Sequence, residues 1–271
     1  MGQLESEFQF TGRLGNVTAY RMRGVDKIIV RQRGGASRER IKKERSFANT
    51  RKHNTEFTGR AMGVRNVRHA LIPAISLADY NFVGNINKIL KYVQDRDTEH
   101  DLGKRNILFS RYGALLQGFS LNRYVTFDSV IRIPPMCDFT RDTLTARVHI
   151  PELVRGINFF PPQKHAHFQL MAVLGIVPDL FITKKKYQPS DERYLSIATV
   201  AHSSTPWMPV TAQSPGTTLE VKLSSQPPDE ACAFVLSVGL CFGASDGQTI
   251  VRTRHAGCAR ILSVISNANS V

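Results

Sequence analysis

From Tyr124 onward the apolar spacing changes from helical to a period of two, which reads as strands. In "YVTFDSVIRI" Val125, Phe127, Ile131 and Ile133 share a face, and in "TLTARVHI" Leu144, Ala146, Val148 and Ile150 do. "HAHFQLMAVL" places Ala166, Phe168, Leu170, Ala172 and Leu174 together, and "RYLSIATVA" and "TLEVKLS" continue the series. "AFVLSVGLCF", from Ala233, is apolar on both sides and reads as a central strand. The turn-rich "GASDGQ" then leads into "TIVRTRH", a hairpin signal, and "ARILSVIS" closes the run. About eight short strands with prolines between them predict an antiparallel β-sandwich over residues 124–271.

The first half has a different texture. Residues 8–33 read as short strands broken at Gly15-Asn16 and Gly24-Val25-Asp26. Such a ribbon is marginal by itself and must lean on something else. After Gly34-Gly35, Ser37 is placed to cap a helix beginning "RERIKKER". A better helix follows from Thr55, with Phe57, Ala61, Val64, Val67 and Leu71 at helical spacing, stopped or kinked at Pro73. A further helix is indicated at 81–94 by Phe82, Ile86, Ile89, Leu90 and Val93, and residues 95–106 form a polar connection. The expected class is therefore α+β: a basic β-ribbon arm (1–36), a helical segment (37–123) and a C-terminal antiparallel sandwich (124–271).

Charge is distributed unevenly. Residues 1–70 contain 16 Lys or Arg and 6 Asp or Glu, whereas the rest of the chain has 20 and 16. Between Val30 and Lys52 nine Lys or Arg face two Glu. A local cationic excess points to a local purpose. Three readings of Arg31, Arg33, Arg38, Arg40, Lys42, Lys43, Arg45, Arg51 and Lys52, with Arg21 and Arg23 on the ribbon, follow from the chemistry. They contact phosphates, with Tyr20 or Phe47 available to stack on bases. They contact carboxylates on a neighbouring subunit, such as the loops "DRDTEHD" and "PPDE". Or they form a solvated helix face laced by i,i+4 Arg–Glu pairs. In the subunit reading, Phe8, Phe10 and Ile29 would be the apolar anchors.

No pattern of residues carries a reaction. There is no G-x-S-x-G, and "RGGASRE" lacks the GK[ST] of a phosphate loop. His165 and His167, two apart on a strand, share a face, but the sequence fixes no third ligand; Asp138, His149 and His202 are the available candidates. A bare pair reads as two surface histidines, so neither a metal nor a cofactor is expected. Cys137, Cys232, Cys241 and Cys258 show no metal spacing and read as reduced thiols. The start "MGQLESEFQF" has no secretory pattern, and its match to a myristoylation motif at Gly2 to Ser6 is loose. No stretch approaches eighteen consecutive apolar residues, and the expected setting is the cytoplasm or an assembled particle.

Gly12 to Tyr20 ("GRLGNVTAY"), Lys27 to Arg31 ("KIIVR"), Asn54 to Phe57 ("NTEF") and Gly118 to Asn122 ("GFSLN") resemble an uncharacterised family of basic proteins in Bacteroidetes-type bacteria. The resemblance covers roughly the first half of the chain. The family brings no known activity and so implies no catalytic residue. The expectation from the whole sequence is a non-enzymatic protein that associates with itself into a shell, tube or filament through its basic arm. The alternatives are a nucleic-acid-binding protein, including a coat protein whose arm holds DNA or RNA, and a β-sandwich carbohydrate-binding or adhesion module.

Overall fold

The computed structural model describes residues 2–4, 10–32, 34–162, 165–184, 186–195 and 197–266, with side chains described from Phe10 onward and Leu195 in backbone only. The chain divides into two compact units, Met1–Arg51 and Lys52–Val271.

The first unit holds a four-stranded antiparallel sheet built from β1 (Gly2–Leu4), β2 (Gly12–Leu14), β3 (Val17–Arg21) and β4 (Ile28–Gln32) in the order β1-β4-β3-β2. Leu14 pairs with Val17, so Gly15 and Asn16 alone make the turn between β2 and β3, and Gly15 takes φ +55° to do so. Helix α1 (Arg38–Lys43) follows. Ser37 caps it as its position implies, its side-chain oxygen accepting from the Arg40 N–H at 3.3 Å.

The division falls within α2 (Ala48–Ala70), and the second unit continues with α3 (Phe82–Asp95), α4 (Phe109–Tyr112) and α5 (Phe127–Val130). Its strands are β5 (Met136–Thr140), β6 (Thr145–Ile150), β7 (His167–Pro178), β8 (Phe181–Thr183), β9 (Lys186–Gln188), β10 (Val200–Ser204), β11 (Met208–Pro209), β12 (Thr217–Lys222), β13 (Cys232–Ser245) and β14 (Ile250–Ser266). One sheet runs β10-β7-β13-β14 with β11 added against β7; another runs β12-β6-β5; β8 and β9 form a small hairpin. Every pairing between these strands is antiparallel.

β7 and β13 are buried along nearly their whole length, and the two faces they bury are different cores. Phe168, Leu170, Ala172, Leu174, Phe234, Leu236 and Val238 pack with Ala146, Val148, Ile150, Leu219 and Val221 of the smaller sheet. Met171, Val173, Val177, Ala233 and Val235 point the other way, into Val64, Val67, Leu71, Ile86 and Leu90 of the helices. The central-strand reading of Ala233 to Phe242 is explained by this: apolar residues at both parities have a layer to meet. It also removes the boundary expected at Arg123/Tyr124. Residues of the helical segment and of the sheets share one core, and the chain divides at Arg51/Lys52 instead.

Other expectations are corrected locally. "YVTFDSVIRI" is not a strand, because the Thr126 side chain accepts from the Ser129 N–H and opens the short helix α5. The stripe expected on α2 is rotated: Phe57 is 56% exposed and Ala61 is exposed, while Glu56, Gly59 and Gly63 are buried with Val64, Val67 and Ala70. Glycine permits the close approach, since a Cβ at Gly59 would lie 2.5 Å from the Tyr187 ring. "TIVRTRH" and "ARILSVIS" are two arms of one strand, joined through His255 and Gly257 at positive φ.

Candidate functional site

The cationic candidates lie mostly on the first unit, whose 51 residues hold twelve Lys or Arg and five Asp or Glu. Arg21, Arg23, Arg31, Arg38, Arg40, Lys42, Lys43 and Arg45 are exposed. Arg33 and Phe8 lie outside the described residues. Lys52 begins the second unit, is exposed, and lays its stem over Gly103.

Structure separates these residues by role. Arg40 donates to both carboxylate oxygens of Glu44, from Nε at 2.6 Å and Nη2 at 3.1 Å, and that pairing holds its guanidinium above the ordinary arginine value. Arg51 is a clasp: its Nη1 donates to the backbone oxygens of Ile41 and Glu44, both at 2.8 Å, satisfying carbonyls at the end of α1. Its sequence context groups it with the contact residues, because a clasp ten residues away leaves no local pattern. Arg38 and Lys42, at i,i+4, share a face of α1 and stand with Lys43 and Arg45 as exposed cations. Among the described residues of α1, the i,i+4 pairing of the solvated-face reading is seen between Arg40 and Glu44.

Arg51→Met removes both bonds and leaves two carbonyls to water. The expected result is a helix α1 that frays, with amide hydrogen exchange over residues 38–44 faster by about tenfold, while exchange in β7 and β13 is unchanged.

The apolar anchors fare differently. Ile29 is 5% exposed within the single chain and does not present a free surface; Phe10 is half-buried. Leu14 on the edge strand β2 is 67% exposed and was not singled out by its sequence context, because alternation does not tell an edge from an interior strand. Tyr20 and Phe47 are both half-buried, with the Arg40 guanidinium 5.9 Å from the Phe47 ring centre.

In the second unit, His165 stacks on Phe242 with ring centres 4.9 Å apart, and His167 opens β7 opposite Gly243. Asp138 and His149 belong to the smaller sheet and His202 to β10, and among the described residues no group of three His, Cys, Asp or Glu is placed to hold a metal. Burial pushes the Cys232 thiol up to about 11 and the Cys258 thiol to about 12, and it raises Cys241 as well. Cys137 is exposed and is also raised, by partial burial and by the Asp138 carboxylate. All four therefore stay protonated near neutral pH. Asp97 combines opposing effects: burial raises its carboxyl, but bonds from His100 and from the Asn106 and Glu99 N–H groups hold it below the usual carboxylate value. Among the described residues no helix is long and apolar enough to cross a membrane. Comparison with protein families, curated proteins and solved structures returns no match for this chain.

Proposed function

We propose that the chain is a structural subunit that associates with copies of itself through its first unit. The observation that carries this reading is how few apolar side chains the described residues of that unit bury. Among its described residues only Ala19, Ile28 and Ile29 are buried apolar side chains. Burying an isoleucine contributes about 1.5–3 kcal/mol. Fixing one residue of backbone costs about 1–2 kcal/mol. The described buried side chains contribute little against that cost. Helix α1 adds nothing to the core, since none of its six residues is buried, and a helix that short does not persist alone in water. Among the described residues β1 and β2 are the two edges of the sheet, and β2 exposes Gly12, Arg13 and Leu14. An unpaired edge is a template for a strand of another copy, with Leu14 as an apolar contact and the cations of α1 setting register against carboxylates.

A second reading rests on a separate observation, the sign of the charge. The first unit has an excess of seven positive charges, and residues 52–271 hold 24 Lys or Arg against 17 Asp or Glu. Copies of such a chain repel one another until something anionic intervenes, and a nucleic acid would do so.

Light scattering of nuclease-treated protein separates the two. Self-association gives particles many times the 30.3 kDa chain mass, persisting at high salt and lost when residues 1–36 are removed. Nucleic-acid binding gives single chains after nuclease and an affinity for DNA or RNA that falls steeply with salt. A single chain in every condition, indifferent to polyanions, overturns both.

A further inference from the structure

Within the second unit, α2, α3 and the connection that follows α3 surround a cleft of about 430 Å3 lined by His53, Glu56, Arg60, Lys91, Asp95 and Arg105. Sequence order hides this cluster, because Glu56 and Arg60 come from one helix, Lys91 and Asp95 from the next, and Arg105 from a loop. Its groups are tightly arranged. The buried Glu56 carboxylate accepts from the Gly103 N–H at 2.8 Å, with the Arg105 Nε 3.9 Å away. Arg60, one turn along α2, donates from Nη1 to Gln94 Oε1 at 2.6 Å. Arg105 donates from Nη1 to Asp95 Oδ1 at 2.9 Å, and Lys91 donates to Asp95 Oδ2 at 2.5 Å. Behind them Gln94 donates to the Tyr187 hydroxyl, which donates to the Arg105 backbone oxygen at 2.7 Å. Both guanidinium groups are thus anchored at one end and cannot swing away.

Two features go beyond a network that merely holds the helices together. The Nε of Arg60 and the Nε of Arg105 are both buried and have no hydrogen-bond acceptor. A buried donor left unmet is destabilising, and two of them beside one cleft form a donor set short of an acceptor. The charges also fail to cancel: Arg60, Lys91 and Arg105 face Glu56 and Asp95, one cation in excess before His53 is considered. Guanidinium edges of this kind match the planar or tetrahedral oxygens of an oxyanion. The volume falls in the range of small-ligand sites, about 300–1,000 Å3.

We propose that this cleft binds the oxyanion end of a small metabolite, a carboxylate or a phosphate monoester, between Arg60 and Arg105 with Lys91 at the rim. The two guanidinium groups and the Lys91 ammonium, all lining the cleft, supply the donors. Glu56 and Asp95 hold the cations in place and limit the ligand to a low negative charge. All of its lining residues belong to the second unit.

The test is a titration of the full chain with inorganic phosphate and, separately, with succinate, following the arginine Nε–H resonances by NMR against sodium chloride of equal ionic strength. The Arg60 and Arg105 signals shift saturably below about 10 mM ligand in at least one arm. Response to phosphate alone assigns the phosphate source, and response to succinate alone the carboxylate. Lys91→Gln, at a side chain 59% exposed, weakens binding about fivefold. Arg60→Gln weakens it more than tenfold. Lys42→Gln with Lys43→Gln, in the first unit, leaves it unchanged. The proposal is overturned if neither anion shifts the two signals beyond the chloride control, or if Lys91→Gln and Arg60→Gln bind as the parent does.

Discussion

Gly175→Ala should lower the stability of the protein by about 3 kcal/mol, seen as a fall in Tm of about 6–12 °C. The position lies on β7 between Val235 of β13 and Val200 of β10, and the last turn of α2 comes down directly on it. A Cβ there would stand 2.3 Å from the Ala70 carbonyl oxygen, 2.6 Å from the Ala70 Cβ and 2.7 Å from the Ala70 Cα. Two of these are backbone atoms, so no flexible side-chain tip can move aside. Either α2 lifts off the sheet or the strand bows away from β13, and each opens the core around Val67 and Val173. Gly84→Ala is the matched comparison. It sits in α3 with nothing within 4 Å of the added Cβ, so the same chemical change should stabilise the helix by about 0.5–1 kcal/mol. Thermal unfolding of the two variants side by side checks both signs, and equal Tm values would mean that α2 does not sit on β7 in this way.

The second large effect comes from β13. Phe234→Ala should cost about 3–5 kcal/mol and Val235→Ala about 2 kcal/mol, measured by chemical denaturation with an unchanged m-value. Phe234 is fully buried, its ring centre 4.9 Å from that of Phe139, and it faces the smaller sheet. Val235 is also fully buried but faces the helices. Adjacent residues on a strand point to opposite sides, so both are costly only where both sides are covered. A sheet with one side in water would make the valine change nearly silent. That outcome would separate the helices from the sheet.

These two strands also show which parts of the architecture can be read from residues in a row. Thr145–Ile150 and Thr217–Lys222 alternate because one face is buried and the other is not, and the face expected for Ala146, Val148 and Ile150 is the buried one. The α+β class follows from the change of period. What the sequence does not carry is the partner of each face. Phe57 fits a helical stripe yet is exposed, while Glu56 is buried by a loop amide nearly fifty positions later in the chain, at Gly103. Thr126 reads as a strand residue until its side chain is seen to bond forward to Ser129. The cationic cluster of the first unit was visible as composition, but the difference between a clasp such as Arg51 and an exposed cation such as Lys42 depends on contacts that no local pattern encodes. The cleft at Arg60 and Arg105 was invisible for the same reason.

The long pairing of β7 with β13 sets how this molecule must come together. Cys232 lies opposite Pro178 and Gly243 opposite His167, so the intervening chain, including the whole of β8 to β12, is looped out before the two strands can zip. Loop closure of this kind is an entropic barrier met before any contact rewards it, and folding dominated by it is slow. The α2 and α3 helices, by contrast, are local and form early. A chain caught before that step would present an unpartnered β7, its Leu170 to Val177 segment apolar on both sides. Productive folding depends on β13 arriving before another chain's strand does.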